Sequence, residues 1–297
     1  EHVADGICKI IIHGGAGRLE GKVATKEQYR IGLNEAIGPA YQTLVDKGAR
    51  AAVLHAIRLL ESDPIFNAGT GSKLQKDGRV RMSAALMDSS DSIFSGVINI
   101  YDVEHPIDVA DCLRSEGHHI LSGNEATEYA RRNGFVFHDP ITLARFIEYR
   151  KALRTSEKFG TVGAVAIDAD GIVAAGTSTG GVGHELPGRV SDSASVAGTY
   201  ADSAGGVSCT GKGEHIINQA VAAQVVSRLR DDVTLKRILT EVMNEGASRN
   251  HEFGLISLDG NGKFGVRSTK RSISVLYALK DDERELDFTK GGKNLVL

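Results

Sequence analysis

The sequence is poor in cysteine and proline, and it has no hydrophobic run long enough to cross a membrane. Its three cysteines, Cys8, Cys112 and Cys209, are odd in number and lack the spacing of metal ligands. This count argues against a disulfide framework and favours a reducing compartment. We therefore expect a cytoplasmic protein that does not associate with membranes.

The charge of the chain is close to balanced, with a formal net charge of −3 over 297 residues. Such a balance gives no electrostatic reason to expect binding to nucleic acid or to an anionic membrane. The length suits one large domain or two small ones. The 35 glycines and 5 prolines favour tight turns over long extended linkers.

The most informative stretch is 160–181, in which two apolar runs flank a polar turn. The runs 162–167 and 172–175 are rich in β-branched residues, and the Asp-Gly turn between them predicts a hairpin buried on both faces. Thr161 then begins a central strand directly after Gly160. If the bond between them broke, Thr161 would carry an α-amine that can act as base for its own hydroxyl nucleophile.

Five short motifs accompany this hairpin in a fixed order along the chain. They are Ile-His-Gly-Gly-Ala-Gly at 12–17, Phe-Asn-Ala-Gly-Thr-Gly at 66–71, Pro-Gly-Arg-Val-Ser-Asp at 187–192, Gly-Thr-Tyr-Ala-Asp at 198–202 and Ser-Cys-Thr-Gly-Lys-Gly-Glu at 208–214. Jointly they resemble the plant-type L-asparaginase and isoaspartyl aminopeptidase family, a branch of the N-terminal nucleophile hydrolases. The resemblance extends from about His13 to the mid-250s.

The apolar periodicity predicts strands and helices in blocks. Predicted strands cover 9–13, 79–87, 94–101, 162–167, 172–175, 196–200, 206–210, 254–259, 263–267 and 272–279. Predicted helices cover 25–47, which opens with a capping box, and then 51–60, 107–114, 125–131, 141–153, 214–229 and 233–245. This order indicates an α+β fold with a two-sheet core and outer helix layers. The resemblance implies the four-layer αββα sandwich of the N-terminal nucleophile hydrolases.

No internal repeat is present, and no linker is evident other than the junction before Thr161. We therefore expect a single domain, 1–297, which self-cleavage would divide into 1–160 and 161–297. The polar segment 154–160 before the junction is shorter than in the family. The resemblance also implies a homodimer of two processed units.

A competing interpretation comes from Gly-Thr-Ser-Thr-Gly at 176–180, which matches the nucleophile elbow of α/β-hydrolases with Ser178 as nucleophile. His13 and its glycines likewise resemble the oxyanion turn of lipases and esterases. The elbow needs a strand–turn–helix, but the sequence after Gly180 is a poor helix start. We therefore favour Thr161 as the nucleophile.

The candidates for catalysis surround that threonine. Thr179 lies in the partner strand of the hairpin, where its hydroxyl can face Thr161 and hold it. The family match also falls on Thr179, whereas Thr177 fits an ordinary strand threonine. The resemblance further implies that Asn67 helps to hold the nucleophile end in place.

The substrate-binding candidates lie further along the chain. Arg189 offers a rigid fork for a substrate α-carboxylate, and Asp192 can pair with an α-ammonium. The alternative, an internal Arg189–Asp192 salt bridge, is less consistent with the motif. The Thr210 hydroxyl and the Gly211 N–H, at a strand end before a helix, are the predicted oxyanion hole and substrate contacts. Gly213 is expected to contact the substrate through its backbone.

The resemblance implies no cofactor for the chemical step and one structural cation of the sodium type. Carbonyls at the C-terminal end of the second predicted helix carry partial negative charge, which attracts cations. The sequence shows no carboxylate cage there. The implied ligands are the main-chain carbonyls of Leu60, Glu61, Asp63, Phe66, Ala68 and Thr70.

The sequence departs from the family near the predicted substrate site. Arg-Met-Ser-Ala-Ala at 81–85 replaces an acidic stretch, and Asp88 is followed by serine instead of glycine. Ser191 replaces a glycine, and the segment after Asp192 is one residue short. These departures bear on the range of substrates.

The combined interpretation is a hydrolase that converts L-asparagine and β-aspartyl dipeptides to aspartate through a threonine nucleophile released by self-cleavage. The nearest alternative is a glycosylasparaginase-type amidase, but the motifs that begin at Thr161 and Ser178 favour the asparaginase branch. A taspase-like endopeptidase is less consistent with a clamp for free α-amino substrates. From a different class, an unprocessed, inactive binding protein stays open because of the family departures.

Overall fold

The computed structural model describes residues 6–17, 24–152, 160–231, 233–270, 274–292 and 294–297. Most of the predicted short linker, 154–159, lies outside the described residues, as does the start of the predicted strand 272–279.

Helices form where the sequence shows apolar periodicity, and the first begins at the predicted capping box. Oγ1 of Thr25 accepts the N–H of Gln28 over 3.2 Å, and Oε1 of Gln28 accepts the N–H of Thr25 over 2.8 Å. The helices are α1 (Lys26–Lys47), α2 (Ala49–Ser62), α3 (Pro106–Cys112), α4 (Gly123–Arg132), α5 (Leu143–Ala152), α6 (Gly213–Gln219), α7 (Val221–Leu229) and α8 (Leu235–Ser248). None of these described helices has both the length and the apolar character needed to span a membrane.

The strands form two sheets with the orders β12-β11-β1-β5-β6-β2-β3-β4 and β13-β10-β9-β8-β7. Neighbouring strands are antiparallel, except for the pair β3 and β4. The strands are β1 (Lys9–Gly17), β2 (Met82–Asp88), β3 (Phe94–Ile100), β4 (Ile120–Ser122), β5 (Val162–Ile167), β6 (Val173–Thr179), β7 (Thr199–Asp202), β8 (Gly205–Gly211), β9 (Phe253–Asp259), β10 (Phe264–Ser268), β11 (Ser274–Asp281), β12 (Glu285–Asp287) and β13 (Leu295–Val296).

The predicted central hairpin is confirmed. Strands β5 and β6 pair from Val162 opposite Ser178 to Ile167 opposite Val173, and both strands are buried along their whole length. They lie between β1 and β2 in the larger sheet. Thr161 therefore directly precedes a strand that is buried on both faces.

The two faces of β6 meet different neighbours because side chains alternate along a strand. At Gly176 the sheet packs closely on Val53 and Ile57 of α2. The next residue, Thr177, faces Ser208 of β8 in the smaller sheet. Because Thr179 lies two residues after Thr177 on the same strand, its side chain is also on the face toward the smaller sheet.

Helices pack against both sheets. Helices α1 and α2 pack against strands of the larger sheet, and α7 and α8 pack against strands of the smaller one. Apolar side chains of both sheets, such as Val165 and Ile256, are completely buried in one core. The predicted α+β class is confirmed.

Two of the predicted boundaries that differ from the structure have a common cause. The predicted helix 214–229 is interrupted at Ala220, which adopts a left-handed conformation with φ 49°. The N–H groups of Ala222 and Ala223 donate to the carbonyls of Ala197 and Val196 over 2.8 and 3.0 Å. Because 196–197 caps α7 in this way, the predicted strand 196–200 begins only at residue 199.

We predict that Ala220→Gly raises the free energy of unfolding by about 1 kcal/mol, because an exposed left-handed alanine is strained and glycine is not. Ala223→Gly, three residues further along inside α7, should lower it by about 1 kcal/mol. Urea unfolding of both variants measures the two values. If both substitutions changed the free energy of unfolding in the same direction, the result would contradict the interruption at Ala220.

Candidate active site

Thr161 and Thr179 face each other across the hairpin. Oγ1 of Thr161 donates to Oγ1 of Thr179 over 3.1 Å, and Oγ1 of Thr179 lies 3.3 Å from the carbonyl oxygen of Gly160, to which it donates. The N–H of Gly181 donates to the Thr179 hydroxyl over 3.1 Å. A single hydroxyl thus contacts both the candidate nucleophile and the carbonyl of the preceding residue.

Asn67 is the second side chain at this carbonyl. Its Nδ2 donates to the carbonyl oxygens of Gly160 and Gly181 over 2.5 and 2.6 Å. Its Oδ1 accepts the N–H of Lys73 over 2.8 Å, which fixes the orientation of the amide. The carbonyl of Gly160 therefore lies between two donors, Asn67 and Thr179.

The glycine turn at the end of β1 joins Thr161 to Thr210. Gly15 adopts φ 110°, and a Cβ there would lie 3.2 Å from Cα of Gly160 and 3.5 Å from N of Thr161. The next residue, Ala16, donates its N–H to Oγ1 of Thr210 over 3.1 Å. Since the Thr210 oxygen accepts this bond, its own proton stays available for another acceptor.

Ser178, the nucleophile of the competing interpretation, points away from this site. Its Oγ donates to Oε1 of Glu61 over 2.6 Å, on the α2 side of the sheet. Burial raises the pKa of Glu61, and Nδ1 of His105 lies 3.3 Å from its other oxygen. Ser178 is completely buried and holds a carboxyl group, so it is not an exposed nucleophile.

The guanidinium of Arg189 is not the free fork that the sequence analysis assumed. Its Nε donates to Oε1 of Glu214 over 2.7 Å, and its Nη1 donates to Oε2 of Glu185 over 2.8 Å. The side chain is 13 % exposed, and a buried cation needs such counter-charges. Of the three guanidinium nitrogens, only Nη2 has no hydrogen-bond partner among the described residues.

Asp192 and the Arg189 guanidinium both lie close to Gly213. Its side chain is buried, and its Oδ2 has no partner among the described residues. Burial raises the pKa of Asp192 to about 7. A Cβ on Gly213 would lie 2.7 Å from Nη2 of Arg189 and 2.8 Å from Oδ1 of Asp192. Three of the five predicted substrate-binding residues, Arg189, Asp192 and Gly213, are therefore together. The predicted alternative, a direct Arg189–Asp192 ion pair, is not formed.

The residues that hold Arg189 were not predicted from the sequence. Nε2 of Gln75 donates to Oε1 of Glu185 over 2.9 Å, and Nη1 of Arg81 donates to Oε1 of Gln75 over 2.6 Å. The departure from the family at 81–85 is thus connected to the substrate-binding candidates. That departure was the only signal in the sequence, because no local pattern marks Gln75 or Glu185.

The predicted cation loop is rich in carbonyls that already accept hydrogen bonds. The carbonyl of Glu61 accepts the N–H of Thr70 over 2.7 Å, and that of Asp63 accepts the N–H of Phe66 over 3.1 Å. The carbonyl of Phe66 also accepts Nη2 of Arg145 over 3.2 Å. Within the described part of the chain, no group of three or more His, Cys, Asp or Glu side chains is placed to hold a metal ion.

Comparisons with known proteins identify the family of this chain. The model of a family described as asparaginase matches residues 7–286. The isoaspartyl peptidase/L-asparaginase of Synechocystis sp. is 44% identical, with 91% of this chain and 87% of the relative covered. The protein of the same name from Nostoc sp. is 39% identical, covering 93% and 92%. The plant-type L-asparaginase of Pyrococcus horikoshii is 35% identical, covering 93% and 97%.

Matches of this extent place the protein among the hydrolases. Within that class, the chain belongs to the asparaginase family.

Proposed function

We propose that this protein hydrolyses L-asparagine and β-aspartyl dipeptides to aspartate, with Thr161 as a nucleophile that self-cleavage releases. The observation that carries the proposal is the contact of Thr179 with both the Thr161 hydroxyl and the Gly160 carbonyl. The names of the relatives, isoaspartyl peptidase/L-asparaginase and plant-type L-asparaginase, support the choice of substrates.

In the self-cleavage step, Oγ1 of Thr161 attacks the carbonyl carbon of Gly160. The bond from that carbon to the Thr161 nitrogen breaks, the acyl group moves to oxygen, and the nitrogen takes up the hydroxyl proton. Negative charge develops on the Gly160 oxygen, where Asn67 and Thr179 already donate hydrogen bonds. Water then hydrolyses the ester. The products are chains 1–160 and 161–297, and the second chain begins with the free amine of Thr161.

In the turnover step, that amine accepts the proton of the Thr161 hydroxyl as it attacks the side-chain carbonyl of the substrate. The Thr210 hydroxyl and the N–H of Gly211 donate hydrogen bonds to the developing oxyanion. The Thr210 oxygen itself accepts the N–H of Ala16. Ammonia or an amino acid leaves with a proton, and water releases aspartate from the acyl-enzyme.

The space beside Gly213 suits the α-amino acid end of these substrates. Nη2 of Arg189 faces the α-carboxylate, and the Asp192 carboxylate faces the α-ammonium. Glu185 and Glu214 fix the direction of the guanidinium, so the clamp is set before the substrate arrives.

The proposal includes three features that the resemblance implies. The two sheets and their helices form a single domain as a four-layer αββα sandwich, and two processed units form a homodimer. A sodium-type cation binds the main-chain carbonyls of the loop after α2. Carbonyl oxygens suit hard cations, and each keeps a second lone pair after accepting one hydrogen bond. Such an ion would stabilise the loop that carries Asn67.

We predict that Thr161→Ala abolishes both self-cleavage and turnover, because both steps use the same oxygen atom. Intact-mass analysis should show two fragments for the wild type and one uncut chain for the variant, and assays on L-asparagine and β-Asp-Leu measure turnover. Thr240→Ala, which changes an exposed threonine of α8, is the control. If active wild-type protein consists only of the uncut chain, the proposal is wrong.

We predict that kcat/KM falls as the pH drops below about 7, because protonated Asp192 cannot pair with the substrate ammonium. The profile of kcat should lack this limb, since the bound ammonium keeps Asp192 ionised. In Asp192→Asn, kcat/KM should be low at every pH. Its pH profile should no longer show the fall caused by Asp192 and should show only the titration of the Thr161 amine. An unchanged limb in Asp192→Asn would show that another group titrates.

We predict that Arg189→Ala lowers kcat/KM by an amount equivalent to about 2–5 kcal/mol, because it leaves a buried carboxylate without its partner. The variant should also be less stable, since Glu185 then carries an uncompensated charge. Arg189→Ala combined with Glu185→Gln should recover stability in urea unfolding but not kcat/KM. Recovery of both would mean that Arg189 has a structural role only.

A further inference from the structure

Four completely buried side chains form a continuous row of hydrogen bonds across the two sheets, which we call the hydroxyl chain. Nε2 of His13 on β1 lies 2.9 Å from Oγ of Ser208 on β8. Oγ of Ser208 lies 2.7 Å from Oγ1 of Thr177 on β6. Oγ1 of Thr177 lies 2.6 Å from Oγ1 of Thr199 on β7.

Each end of the hydroxyl chain meets a backbone group. The N–H of Gly15 donates to Nδ1 of His13 over 3.3 Å. At the other end, Oγ1 of Thr199 donates to the carbonyl oxygen of Ser193 over 2.8 Å. A ring nitrogen that accepts carries no proton, and a carbonyl can only accept. Both ends therefore constrain the protons between them.

The two ends impose the same direction on every bond. With Nδ1 accepting from Gly15, the tautomer assigned to the neutral His13 ring has its proton on Nε2, which donates to Ser208. Because a hydroxyl has one proton and Thr199 donates its own to Ser193, Thr177 donates to Thr199 and Ser208 donates to Thr177. Burial lowers the pKa of His13 to about 3, so the ring is neutral at physiological pH.

The strand that carries the candidate nucleophile leaves room for the hydroxyl chain. A Cβ at Gly163 would overlap Oγ of Ser208 and would lie 2.5 Å from Nε2 of His13. Any larger residue at this position would break the bond between those two side chains.

The two ends of the hydroxyl chain adjoin different parts of the candidate site. Gly15 contacts the backbone of Gly160 and Thr161. Ser193 directly follows Asp192, the candidate partner of the substrate ammonium. The row of bonds therefore connects the backbone beside the nucleophile with the backbone of the clamp.

We propose that the hydroxyl chain positions the reacting groups: it holds the glycine turn against the Gly160–Thr161 bond and holds the loop of Asp192 in place. Its four members are positioning residues that act through the backbone and do not touch the substrate. This inference rests on the proposed function, because it assigns a role in that reaction.

The first test breaks the hydroxyl chain near its histidine end. Ser208→Ala should lower kcat and the rate of self-cleavage by about 10- to 100-fold, because small displacements of reacting groups have effects of this size. KM should change little, since Thr199 still holds Ser193. The matched control is Ser257→Ala, which removes a completely buried hydroxyl from β9 that donates to the carbonyl of Gly265 over 3.2 Å.

The second test breaks the other end. Thr199→Val should raise KM by about tenfold with a smaller effect on self-cleavage, because the loop of Asp192 loses its anchor. Thr199→Ser keeps the hydroxyl and should restore KM. A loss of activity in Thr199→Ser equal to that in Thr199→Val would contradict a role of the hydroxyl.

The outcomes separate the inference from the proposed function. If the wild type is active but Ser208→Ala behaves like Ser257→Ala, the positioning role is wrong and the proposed function stands. If the wild type neither cleaves itself nor hydrolyses substrate, both fail. The direction of the bonds is read without activity, by nitrogen NMR of Thr161→Ala protein labelled at histidine. A proton on Nε2 of His13 is expected, and a proton on Nδ1 would overturn the arrangement.

Discussion

The candidate site depends on one carbonyl group, that of Gly160, which receives hydrogen bonds from Asn67 and Thr179. These donors come from distant parts of the chain, the loop after α2 and the end of β6. Donors that are already in place stabilise charge on an oxygen without further reorganisation. Because the Thr161 hydroxyl donates to the same Thr179, the candidate nucleophile and the carbonyl beside it are held by a common group. A shift of either strand therefore disturbs both.

Burial decides the state of the two clamp residues in opposite ways. Arg189 keeps its charge because two carboxylates, Glu185 and Glu214, contact it. Asp192 has no hydrogen-bond partner for Oδ2 among the described residues, and burial raises its pKa to about 7. The cationic half of the clamp is thus permanently charged, whereas the acidic half becomes fully charged only above neutral pH or beside an arriving ammonium.

Local patterns predicted the hairpin, although β6 extends four residues beyond the predicted strand 172–175. Alternation along that extension places Thr179 on the face toward the smaller sheet and Ser178 on the other. The same patterns failed at Ala220, where carbonyls more than twenty residues earlier in the chain cap α7. They also failed at Glu185, which acts through partners that only the tertiary structure brings near. Residues that support other side chains through tertiary contacts leave no periodic pattern in the sequence. The family resemblance therefore indicated the candidate groups but not Gln75 and Glu185, which hold Arg189.

The loop that carries Asn67 shows how such a support works. Nε of Arg145 donates to the carbonyl of Gly71 over 2.5 Å, and its Nη2 donates to that of Phe66 over 3.2 Å. Its side chain is buried against carbonyls beyond the C-terminal end of α2, where the helix dipole favours a cation. Arg145 thereby supplies positive charge to the same loop to which the resemblance assigns a sodium ion. Because Arg145 belongs to α5, the packing of that helix and the position of Asn67 are physically coupled.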